Sequence, residues 1–278
     1  MIFGLIAAFC FGLSDFIVTQ ATRKLQTLPA LLGIQFIASL LLGGYILIQS
    51  TSTPDALPLV WMSMIGISVV NFVGTLLLYR AFEKGTLSIV SPIGSGFAVV
   101  TAMLAFAGGE RLPFNSIVGV VLLIVGVLTV TRSIQSNRQQ VTLAGIPEAV
   151  IASICMGIYF WAIGFITPYL GVILPVLITR IVQFFCALLL IRVKGIQFPR
   201  ISLSTGMILV VAALLDTGAL LSFNKGQAVD YTTSTTALTS LYSVITILMA
   251  GWILKEKLIK TQWMGIGIIL CGVIIVSI

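Results

Sequence analysis

Asp216 stands in the apolar run Val210-Val211-Ala212-Ala213-Leu214-Leu215-Asp216-Thr217-Gly218-Ala219-Leu220-Leu221, with hydrocarbon on both sides. The run from 206 to about 226 is long enough to cross a bilayer, which puts the carboxylate near the midplane, where an ionisable group is expensive and tends to be functional. Two roles are open to it. It could bind a cationic amine or carry a proton whose release is coupled to solute movement, or it could be the counter-ion of Arg180 on the preceding span. Arg180 sits midway along the apolar stretch 172 to 193 and presents a planar, permanently charged fork suited to a carboxylate or phosphate. Its alternatives are an internal pair with Asp216 or Asp15, or contact with backbone carbonyls. An acid and a guanidinium on successive spans would together suit a zwitterion. Asp15, in Gly12-Leu13-Ser14-Asp15-Phe16, is a third intramembrane charge, either in the same path or a carboxylate paired to a neighbouring helix.

The elements that must hold these groups are membrane helices. Of 278 residues, 59% are hydrophobic and 8% charged, and the mean hydropathy of +1.17 is beyond any water-soluble fold of this length. The net charge of +7 is spread between apolar spans rather than gathered on one polar face, so it sets orientation in the membrane and does not indicate nucleic acid. Cys10, Cys155, Cys186 and Cys271 lie in apolar runs without a C-x-x-C pair, and there is no histidine, so neither a metal site nor a cofactor is expected. The opening Met1-Ile2-Phe3-Gly4 has no basic stretch before the apolar run, which predicts a retained first span rather than a cleaved leader.

Apolar runs separated by polar punctuation predict ten transmembrane helices at about 2–21, 29–49, 58–81, 87–107, 114–131, 147–168, 171–193, 205–227, 232–254 and 260–278. The polar segment 133–145 divides them into 1–132 and 146–278, five helices each. The halves repeat. At an interval of 145, Cys10 and Gly12 meet Cys155 and Gly157, Gln35 meets Arg180, Asn71 meets Asp216, Arg80 meets Lys225, Ser91 meets Thr236 and Ser95 meets Ser240. At 146, Glu110-Arg111-Leu112 meets Glu256-Lys257-Leu258, Gly119 meets Gly265 and Gly126 meets Gly272. Five helices is an odd number, so the second copy enters from the opposite side: the expected fold is all-α, two inverted five-helix repeats with the site between them.

Arg23, Lys24, Arg80, Lys84, Arg132, Arg138, Arg192, Lys194, Arg200, Lys255, Lys257 and Lys260 fall at one set of loops, against Arg111 and Lys225 at the other. The positive-inside rule makes the first set cytoplasmic and places both termini outside.

At Ser91-Pro92, Glu110-Arg111-Leu112, Gly119 and Gly126, echoed by Thr236-Ala237, Glu256-Lys257-Leu258, Gly265 and Gly272, the chain resembles the drug/metabolite transporter superfamily, EamA type, over essentially its full length. The resemblance implies a multi-pass cell-membrane protein that exports or exchanges a small organic solute, an amino acid, metabolite or drug, in a proton-coupled antiport cycle of alternating access. It also implies structural roles for the Glu and Gly positions. Members of that family are described with both termini in the cytoplasm, opposite to the charge bias here. Facilitative uptake of a sugar or other metabolite, and a non-transporting membrane scaffold, are the alternatives. An enzyme is not expected, since no HExxH, GxSxG or GxxxxGK[ST] pattern occurs.

Further candidates follow from these spans. Asn71 and Gln35, counterparts of Asp216 and Arg180, either line the cavity or form interhelical hydrogen bonds. Thr232, Thr236, Thr239, Ser243 and Thr246 recur at spacings of 4, 3, 4 and 3, and Ser88, Ser91 and Ser95 do likewise, as faces for close packing or a polar path. Pro92 is a candidate gating kink. Tyr159, Trp161 and Tyr242 lie within spans and are cavity candidates, whereas Trp61 and Trp263 suit the interfacial belt. The glycine stripes of the fifth and tenth spans pack internally or support a weak homodimer in place of a monomer.

Overall fold

The computed structural model describes residues 2–49, 54, 56–109, scattered positions between 114 and 129, and 144–199, 201–229, 232–254 and 260–277. All its regular elements are helices, and no strand occurs among the described residues. They are α1 Ile2–Leu25, α2 Thr27–Gln49, α3 Pro58–Lys84, α4 Leu87–Gly94, α5 Phe97–Ala107, α6 Ile146–Leu170, α7 Ile173–Lys194, α8 Leu203–Val229, α9 Thr232–Thr239, α10 Tyr242–Ile253 and α11 Lys260–Ser277.

Among the described residues eight helices are long and apolar enough to cross a membrane, with α4–α5 and α9–α10 each counting as one. Expected spans 114–131 and 260–278 fall on positions described in part, although the second coincides with α11. Spans come out near their expected bounds because each needs about twenty apolar residues to cross hydrocarbon. Large side chains such as Phe9, Leu40, Met62, Phe185 and Leu214 are exposed on their outer faces, as lipid contact requires.

Adding 145 to the bounds of α1 through α5 lands within about two residues of α6 through α10, and the packing respects that interval. α1 packs on α8 and α3 on α6; α1 packs on α10 and α6 on α5; α2 packs on α7, its own counterpart. Close approach at two of these contacts rests on glycine. A Cβ at Gly12 would lie 2.6 Å from Ile245 Cβ, and one at Gly157 would lie 2.5 Å from Val100 Cβ, so no side chain fits at either. Beside each glycine a threonine hydroxyl donates to its carbonyl, Thr246 to Gly12 at 3.3 Å and Thr101 to Gly157 at 3.0 Å. These two contacts are counterparts residue for residue, and they show the hydroxyl face of α10 used for packing on α1.

The helices expected at 87–107 and 232–254 are each broken, at Ser95–Gly96 and at Ser240–Leu241. Pro92 precedes the first break, but Ala237 holds its place in the second. What the breaks share is a serine whose hydroxyl folds back on the carbonyl three residues earlier, Ser95 on Pro92 at 2.7 Å and Ser240 on Ala237 at 2.6 Å. Such a bond competes with the helical ladder. At the polar end of the bundle Arg23 donates to the carbonyls of Phe82 (3.4 Å) and Gly85 (3.0 Å), and the Thr27 amide and hydroxyl donate to Glu83. The turn from α1 into α2 is thereby tied to the end of α3.

Candidate functional site

Arg180, on α7, is buried to 2% exposure, so its charge must be met by protein. Its Nη1 donates to Asp216 Oδ2 of α8 at 2.6 Å and to Gln35 Oε1 of α2 at 3.0 Å. The first is a short charge-assisted bond. Nε and Nη2 have no hydrogen-bond partner, so the fork retains unmet donors. Asp216 keeps 16% exposure, because it faces a cavity as well as the arginine.

That cavity is about 30 Å³, roughly the space of one water. α1 contributes Phe11, Ser14 and Asp15; α3 contributes Asn71, Thr75, Leu78 and Tyr79; α6 contributes Met156 and Phe160; α7 and α8 contribute Arg180, Gln183, Asp216 and Leu220. Besides the arginine nitrogens, Asp15 Oδ2, Asn71 Oδ1 and Gln183 Oε1 are buried without a hydrogen-bond partner. Such atoms are costly in a packed interior, and their gathering around one space makes it the candidate site. Two hydrophobic clusters border it. One holds Phe11, Phe97, Phe160, Phe223 and Tyr242. The other holds Phe16, Leu76, Phe82, Ala152 and Leu209. The cavity wall thus joins charged and amide groups to apolar side chains drawn from five helices.

The sequence profile of the EamA-like transporter family matches residues 1–132 and 143–278. This chain belongs to that family. An uncharacterized protein of Methanocaldococcus jannaschii is 37% identical over 67 residues, which cover 24% of this chain and 49% of that protein. The chain thus spans about half the length of the curated relative it matches. A solved crystal structure superposes with a TM-score of 0.72 at 14% identity, covering 99% of this chain and 96% of the other, and speaks for the fold alone. The protein is therefore a multi-pass membrane protein of a transporter family with a two-repeat architecture.

In this EamA-like chain the candidates read from sequence divide. Asp15, Asn71, Arg180 and Asp216 meet at the cavity, and Gln35 joins them through Arg180. Tyr159 is fully buried behind the arginine, its hydroxyl 3.1 Å from Thr179 Oγ1, which is 3.2 Å from Ser68 Oγ. That relay ties α6, α7 and α3 together and fixes the turn of α7 that carries Arg180. Tyr242 lines a second space of about 20 Å³ with Phe11, Asp15 and Phe160, and donates to the Ser91 carbonyl at 3.4 Å. The Ser91 hydroxyl is buried without a partner, a few residues before the break. Ser95, Thr236, Thr239 and Ser243 satisfy their hydroxyls on main-chain carbonyls and do not line the cavity. Pro92 packs in α4, also away from the lining. Trp161 faces a separate pocket of about 290 Å³ with Gly108, Gly109 and Thr232.

Sequence reasoning missed Thr75, Tyr79 and Gln183. Thr75 and Tyr79 follow Asn71 at one and two helical turns, and Gln183 follows Arg180 by three residues, so each shares a face with a residue already singled out. Gln183 Nε2 donates to Thr75 Oγ1 at 3.3 Å and joins α7 to α3 beneath the arginine.

Proposed function

We propose that the chain is a secondary active transporter of a small organic solute, working by proton-coupled export or exchange through alternating access. The observation that carries this reading is the charged cavity lined by helices of both halves, with unmet donors on Arg180 beside the Asp216 and Asp15 carboxylates. A carrier needs a site that can be shut from both sides, and a guanidinium with spare nitrogens can take a carboxylate or other anionic group of the solute.

The rest of the reading follows from sequence and packing. Ten spans form two five-helix copies, 1–132 and 146–278 joined by 133–145, inverted about an axis in the membrane plane. The exchange of packing partners at the interval of 145 supports it. The excess of Lys and Arg at one set of loops supports a cytoplasmic position for those loops and external termini. The two copies rock about the site, and Ser95–Gly96 and Ser240–Leu241 are the places where spans can bend.

Reconstitution into liposomes tests the proposal. Saturable solute flux driven by a pH gradient is expected, and it should fall sharply in Asp216→Asn and in Arg180→Lys, which keeps the charge but loses the fork. Flux that survives collapse of the gradient would instead indicate facilitated movement, and flux indifferent to both substitutions would remove the pair from the mechanism.

A further inference from the structure

One cationic and two acidic side chains share the cavity, and their charges do not cancel. Arg180 and Asp216 neutralise one another at 2.6 Å. Asp15 is left over, 7% exposed, with Oδ2 lacking any hydrogen-bond partner. Among the described residues the surrounding helices place no second cation on this space, since Lys225 of α8 and Arg23 and Lys24 of α1 lie outside the lining. From α8, α7, α3 and α10 the charged or titratable groups facing this space are Asp216, Arg180, Tyr79 and Tyr242. α2, α4 and α9 carry no charged side chain, and Arg80, Glu83 and Lys84 of α3 lie outside the lining. With Asp15 ionised the site therefore holds one uncompensated negative charge in the membrane interior, an arrangement hydrocarbon does not tolerate.

We infer that Asp15 is the cation site of the cavity: its carboxylate takes a single positive charge, a proton or a monovalent organic ammonium, while Arg180 and Asp216 persist as a neutral pair. This rests on the transporter reading and refines it. A cavity of about 30 Å³ admits a proton on the carboxyl oxygen but not an ammonium bearing carbon substituents. In this closed form the balancing charge is the proton, and an ammonium enters only when the bundle opens. Phe160, the counterpart of Asp15 at the interval of 145, lines the same space with Phe11 and Tyr79 and offers ring faces to such a cation. In the exchange the ammonium pairs with the carboxylate and the O–H proton leaves to water on the open side. One monocation replaces one proton, and no net charge crosses with the protein.

Infrared spectroscopy of the full chain in liposomes at neutral pH tests the assignment without requiring flux. The wild type is expected to show the C=O stretch of a protonated carboxyl. The stretch should persist in the charge-balanced double variant Arg180→Gln/Asp216→Asn, shift in frequency in Asp15→Glu and vanish in Asp15→Asn. Because Asp15→Glu reports through a frequency shift, the assignment does not depend on Asp15→Asn folding well. Benzyltrimethylammonium chloride separates the two sources: a band it abolishes assigns the site to organic cations as well, and a band it leaves unchanged assigns it to the proton alone. Absence of the band in the wild type, or its survival in Asp15→Asn, overturns the inference. An Asp15 band in a protein that moves no solute would defeat the transporter reading and leave the assignment standing.

Discussion

Arg180 donates from Nη1 to Oε1 of Gln35 at 3.0 Å across exactly the repeat interval of 145 positions. Two counterparts in a duplicated chain can touch only near the line that exchanges the copies, where α2 and α7 cross. The charged site thus lies where α2 and α7 pack on one another, with Gln at this position in the first half and Arg in the second.

Removing the arginine alone strands the Asp216 carboxylate. Arg180→Gln is expected to lower stability by about 3–5 kcal/mol, the cost of leaving a buried charge without its partner, and Arg180→Gln/Asp216→Asn to recover most of that loss. Unfolding in detergent followed by circular dichroism measures both. Equal losses in the single and double variants would show that the pair is not what the arginine supports.

Gly12→Ala and Gly157→Ala should each destabilise by about 1–3 kcal/mol, since the added methyl meets Ile245 or Val100 far inside contact distance. Gly66→Ala is the control, because nothing lies within 4 Å of a Cβ there. Similar costs at the two close contacts, and none at Gly66, are the expected pattern in the same unfolding assay.

Pro92→Ala should leave the break in its span intact, because the second copy breaks at the corresponding place with Ala237 there. Ser95→Ala should straighten it by removing the bond to the Pro92 carbonyl. Spin labels at positions 86 and 106, read by pulsed electron paramagnetic resonance, are expected to keep their separation in the first variant and lengthen it in the second.

The sequence disclosed the residues whose cost in lipid is high. Asp216, Arg180, Asp15 and Asn71 stood out because polar groups within twenty-residue apolar runs demand a reason, and the interval of 145 pairs Asp216 with Asn71 and Arg180 with Gln35. Span limits were legible for a similar reason, though α3 runs on to Lys84, past the expected 81, because Arg80, Glu83 and Lys84 extend the helix toward water. The break at Ser240 was not legible, and that at Ser95 was signalled only by the candidate kink at Pro92, three residues earlier. The hydroxyl periodicity of both spans continues through them, and a back-bonded serine looks like any other in sequence. Trp161 illustrates the remaining limit. A position within a span does not say which face of α6 it occupies, and that face is set by contacts with α3 and α5.

The central claim, a cavity opened alternately to the two sides, can be tested without knowing the solute. With Cys10, Cys155, Cys186 and Cys271 replaced by serine or alanine, a single cysteine at Leu78 in the cavity wall is exposed to a membrane-impermeant thiosulfonate in right-side-out and inside-out vesicles. The account predicts labelling from both sides, slowed from either one when conditions hold the cavity open to the other. Labelling from one side only under every condition, or from neither, would contradict it.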